Sequence, residues 1–146
     1  MKKLVLSIFG FCVLALSAPV QAQSDNAHTL IKEHINEMVV TVEKKETTTE
    51  KRAALNESLD EMIAAIDKVS NMKAVPTADK EGLNAFKTTL EDRKNELNGA
   101  EGFEAVPANQ LNDYANFIQQ DLEQADRVVT LSLTTALLIV LILLLL

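Results

Sequence analysis

The chain has 146 residues, 47% of them hydrophobic and 24% charged, with a formal net charge of −7. Its 21 acidic against 14 basic residues would be repelled by nucleic-acid phosphates and by anionic lipid headgroups, so binding driven by charge to either is excluded. One cysteine, Cys12, is too few for a disulfide framework or a Cys-ligated zinc.

Residues 1–22 read as a signal peptide. Lys2 and Lys3 form the basic start, an apolar stretch covers residues 4–18, and Val20-Gln21-Ala22 places small residues where signal peptidase requires them. The apolar stretch is short for an uncleaved anchor. Lipidation at Cys12 would need a small residue before it, where Phe11 stands. Cleavage removes Lys2, Lys3 and Cys12, leaving 12 basic against 21 acidic residues, a net charge of −9 with no thiol. The protein is therefore expected to be exported, with residues 23–127 forming an acidic domain on the periplasmic or extracellular side of a membrane.

Within that domain Ala, Leu, Glu, Lys, Asn and Asp predominate, a mixture of good helix formers. The first segment follows Ser24-Asp25-Asn26 and carries Ile31, Ile35, Met38 and Val42, whose steps of 4, 3 and 4 share one helix face. Residues 43–52 hold no apolar side chain, and Thr47-Thr48-Thr49 is poor in helix propensity. The pattern resumes with Leu55, Leu59, Met62, Ile66 and Val69, with a slip in frame between the two runs.

Val75-Pro76-Thr77 ends the second segment, and Thr77 is expected to cap the third, with Asp79 and Glu81 favoured by the helix dipole in its first turn. Leu83, Phe86, Leu90 and Leu97 mark that segment's face, and Asn98-Gly99 stops it. Phe103, in the loop that follows, either tucks under the end of the domain or stands exposed. A fourth segment starts near Ala108-Asn109, with Leu111, Tyr114, Ile118, Leu122 and Ala125 on its face.

Residues 128–146 are uncharged, and nothing in the sequence breaks the helix between the fourth segment and this tail. One continuous helix running into a membrane is the expectation, since 19 residues at about 1.5 Å each reach roughly 28 Å, close to a hydrocarbon core. A GPI-type signal, a tail removed in processing and a helix buried against the domain are the competing readings. The last suffers because residues 137–146 offer no polar face.

The fold class is all-α. Four amphipathic segments make either an up-down-up-down bundle or, if residues 43–52 stay helical, a long helical hairpin built on one rod, with a C-terminal transmembrane helix in both cases. The stripes are narrow, like a coiled-coil seam, so Ile31, Ile35, Met38, Leu55, Leu59, Met62 and Ile66 are the candidate interaction seam for self-association or a protein partner.

Chemical motifs are sparse. His28 and His34 do not share a helix face, and His34-x-x-Glu37 occurs once and in the reverse order from di-iron bundles. His34 and Met38 could be axial haem ligands, but the fourth segment has neither His nor Met to complete the pair. There is no phosphate loop, nucleophile elbow or Cys-x-x-Cys-His. Asn56-Glu57-Ser58 is a glycosylation sequon of low information. The expectation is a non-enzymatic cell-envelope interaction or scaffold module, attached to a membrane by its tail and without a cofactor or metal. The alternative is an exported four-helix carrier of haem or a metal ion.

Overall fold

The computed structural model describes residues 20–128 and 131–146. It is helical throughout: α1 (Val20–Lys44), α2 (Thr48–Ser70), α3 (Thr77–Asn98), a 3-10 turn (Ala108–Gln110), α4 (Leu111–Val128) and α5 (Leu133–Leu145). Residues 1–19, and with them most of the expected signal peptide, lie outside the described residues.

The choice between a rod and a bundle is settled at residues 45–47. The chain leaves the helix there, and Thr47, with φ −101° and ψ 150°, begins a new one. Its side chain accepts from the backbone N–H of Glu50 at 3.2 Å, while the Glu50 carboxylate accepts from the Thr47 N–H at 3.1 Å. This reciprocal pairing satisfies two donors that a helix start leaves open. The threonines that weaken a continuous helix thus supply the cap of the next one.

From that turn the helices alternate in direction. Asp60 pairs with Lys94 at 2.5 Å and Asp67 with Lys87 at 2.7 Å, which fixes α2 and α3 as antiparallel. Arg93 meets Asp121 at 3.1 Å between α3 and α4. The Gln119 amide donates to Asn36, closing α4 back onto α1. These exposed or half-exposed pairs set register more than stability. The stability lies in one continuous core that takes Ile35 and Val42 from α1, Leu55 and Leu59 from α2, Leu83 and Leu90 from α3, and Ile118 and Leu122 from α4, all fully buried.

Two loop ends are held by main-chain demands. Gly99 ends α3 at φ +70°, and a Cβ there would lie 2.8 Å from the Ala105 nitrogen, so only glycine fits without displacing the loop. The Arg52 guanidinium donates to the carbonyl of Leu97 in the last turn of α3 and to that of Val106 at 2.5 Å. Phe103 stays largely exposed on this loop. At the other end of α3, the capping position is held by Pro76 without a side-chain bond. Thr77 is already inside the helix, so its expected role as a cap is corrected.

The expectation for the tail is also corrected. The helix of the fourth segment ends at Val128, residues 131 and 132 are not helical, and a separate helix starts after Ser132. Ser132 has φ −64° and ψ 150°, and its hydroxyl accepts from the Thr135 N–H, which caps the new helix. α5 has 13 residues, roughly 20 Å at the usual rise. It turns back and packs against both α1 and α2. Among the described residues, no helix is long and apolar enough to cross a membrane.

Candidate functional site

The chemistry that sets this fold apart is gathered where α5 meets the bundle. Asp79 sits in the first turn of α3 and is 7% exposed, while Thr135, in the first turn of α5, is fully buried. One carboxylate oxygen, Oδ2 of Asp79, accepts from the Ser132 N–H at 3.0 Å, from the Ser132 hydroxyl at 2.5 Å and from the Thr135 hydroxyl at 2.5 Å. Burial alone pushes the Asp79 carboxyl up, but the bonds from Ser132 and Thr135 outweigh it and hold the group below its ordinary value. A charge buried here would be expensive without partners, and all three donors come from the start of α5. Asp79 therefore fastens the tail.

Beyond this fastening α5 has two apolar faces. The inner face buries Ala136, Ile139 and Val140, with Leu138, Ile142 and Leu143 packed partly against the same core. The outer face carries Leu137, Leu141, Leu144, Leu145 and Leu146, exposed by 43%, 53%, 76%, 77% and 52%. Helices on a protein surface ordinarily turn a polar face outward. This one presents leucines at steps of 4, 3, 1 and 1, an exposed apolar strip of the kind that marks a contact surface.

The groove under α5 changes character along its length. Past the tip of the helix it becomes a polar cleft of about 240 Å³ between α1 and α2, lined by His34, Glu37, Thr41, Lys45, Glu57 and Glu61 among others. A smaller hollow of about 120 Å³ joins His34, Glu33 and Glu37 to Val140, Leu143 and Leu144. His34 is half-buried, and its Nε2 has no hydrogen-bond partner among the described residues. No group of three or more His, Cys, Asp or Glu side chains that could hold a metal ion is found among the described residues. His28, the other histidine, lies outside the residues whose side chains are described.

A third depression, of about 420 Å³, opens at the α3–α4 end and is lined by Glu96, Glu104, Pro107, Asp113, Tyr114 and Phe117 among others. Its groups are largely engaged with each other. The Tyr114 hydroxyl is shared between the Arg93 carbonyl at 2.7 Å and the Glu96 carboxylate at 2.9 Å, and Arg93 lies 5.1 Å from the Phe117 ring centre. Burial, then the Glu96 bond, pushes the Tyr114 hydroxyl well above its usual value. The arrangement locks α3 to α4.

Of the seam residues expected from sequence, Ile35, Met38, Leu55, Leu59, Met62 and Ile66 are all buried in the chain's own core, and the side chain of Ile31 lies outside the described ones. Within one chain their apolar surface is already covered. Among the described residues the exposed large apolar side chains cluster on α5 and at its end instead, with Val40, Phe103 and Phe117 exposed singly elsewhere. The Asp79–Ser132–Thr135 cluster was not anticipated; the one trace of it in the sequence is Ser132-x-x-Thr135, a helix-start pattern inside the apolar tail. Asn56 of the sequon sits within α2, its amide bonded to Asn98 and to the Arg52 carbonyl. Comparison with protein families, with curated proteins and with solved structures finds no match for this chain.

Proposed function

We propose that this chain is an exported helical module that attaches to a membrane through its tail and works by contact, as a spacer or scaffold of an envelope assembly. The observation that carries the reading is the leucine face of α5, which stays open after the helix has packed against the bundle. The acidic remainder of the chain would be repelled by anionic headgroups, so attachment falls to this uncharged surface. The signal-peptide pattern of residues 1–22 agrees with a chain made to meet a membrane.

The test is to place charge on the outer face without touching the core. L141E combined with L145E changes two residues that are more than half exposed, so helix content and melting temperature are expected to stay near the parent values. Association with the membrane fraction of the host is expected to fall sharply. Retention of the double variant in that fraction would overturn the reading.

A further inference from the structure

We propose that α5 is a stored membrane anchor, which exchanges between its groove on the bundle and a lipid bilayer, with Asp79 as its latch. The inference rests on the membrane reading above and adds the conformational change that it requires.

As docked, α5 reaches roughly 20 Å and its inner side faces protein. A span needs about 20 predominantly apolar residues, and the 19 uncharged residues of 128–146, among them Thr130, Ser132, Thr134 and Thr135, form one helix of that length only if the turn at residues 131–132 straightens. What holds that turn is the capping by Ser132 and the three hydrogen bonds to Asp79 Oδ2. Undocking would leave that carboxylate to water and return the Ser132 N–H to a continuous helix. Ile35, Met38, Leu59 and Met62 belong to the one core shared by all the helices, which limits what the bundle loses. The occupant of the leucine face is taken to be lipid and not a second copy, because the uncharged stretch has the length of a span and the face is short, four leucines on a 13-residue helix and Leu146 at its end, where each partner of a stable dimer buries ~800 Å².

The experiment uses protein recovered from the membrane of its host, in which removal of residues 1–22 leaves no native thiol, so that introduced thiols are unique. Glu37 and Leu144 line the same hollow between α1 and α5. E37C with L144C is joined by a bismaleimide that contains a cleavable disulfide, and flotation with phosphatidylcholine vesicles is measured before and after reduction. The cross-linked form, left with only its outer face for contact, is expected to float about tenfold less than the reduced form, which can also insert. D79A, without a cross-link, is expected to float several-fold more at limiting lipid. Equal flotation of the cross-linked and reduced forms would overturn the exchange while leaving attachment by the outer face intact. No flotation of any form, or flotation that L141E with L145E does not reduce, would overturn the membrane reading itself. A lipid-free dimer that L141E dissociates would give the leucine face to a second copy.

Discussion

The Thr135 hydroxyl donates to the Asp79 carboxylate at 2.5 Å across 56 residues of sequence, and both side chains are buried. It joins the first turn of α3 to the first turn of α5, so two helix starts share one anion. Each start favours negative charge through its dipole and its open N–H groups. A single carboxylate placed between them serves both.

The packing of α5 is tested from its inner face. Ile139 is 4% exposed and belongs to the core, so Ile139→Ala is expected to lower unfolding stability by about 2–4 kcal/mol. Leu141→Ala, on a residue 53% exposed, is expected to change it by less than about 0.5 kcal/mol. Urea denaturation followed by circular dichroism measures both, and equal effects at the two positions would contradict the docked helix.

The Asp79 cluster has a pH signature whose sign follows from its lowered pKa. The unfolded carboxyl titrates near 3.8 and the folded one below it, so the ionised form is favoured by folding. That contribution is complete above the unfolded value and is lost as the pH falls through the folded one. The stability difference between the parent chain and Asp79→Ala is expected to be constant from about pH 7 to pH 5 and to shrink steadily below about pH 4. Parallel urea titrations at stepped pH give the comparison directly.

Removal of the cap at the first turn is expected to act locally. Thr47→Ala deletes the acceptor for the Glu50 N–H and is expected to cost about 1 kcal/mol. Thr48→Ala, one residue inside the helix, removes no capping bond and exchanges a β-branched residue for the best helix former, so it is expected to be neutral or slightly stabilising. A larger loss at Thr48 than at Thr47 in thermal melts would show that the break between α1 and α2 has another origin.

Gly99 is expected to tolerate no side chain. Gly99→Ala combines a left-handed φ of +70° with a contact of 2.8 Å to backbone, and a loss of about 1–3 kcal/mol is expected. Gly102, at φ +88° with open space around its missing Cβ, carries the conformational penalty without the clash. Its alanine variant is expected to lose less in the same denaturation experiment.

Much of this architecture was legible in sequence, because it depends on short-range periodicity. The runs Leu55, Leu59, Met62, Ile66, Val69 and Leu83, Phe86, Leu90, Leu97 all point inward, and Gly99 stops α3 as its place after Asn98 implies. Thr47-x-x-Glu50 is a capping-box pattern that decides for the bundle, yet by propensity alone the threonines register only as weakness. The seam residues have the right face, but whether a face meets its own chain or another is not encoded in spacing. The tail was least legible. Its composition is that of a membrane span, and only Ser132 and Thr135 indicate a helix start; their partner Asp79 lies at a distance that no local pattern conveys.

Arg52 has a consequence at the opposite end of the molecule. It grips the carbonyl of Leu97 before the α3–α4 loop and that of Val106 after it, so a single side chain on α2 holds both banks of the loop. The covalent link through residues 101–105, all exposed, is therefore expected to tolerate a break. A chain nicked there is expected to keep Leu97 and Val106 on the same guanidinium, and its halves to behave as complementary fragments of one bundle. The same position is the natural point at which to graft a second protein, or to open the chain and join it elsewhere, without disturbing the fastening of the tail.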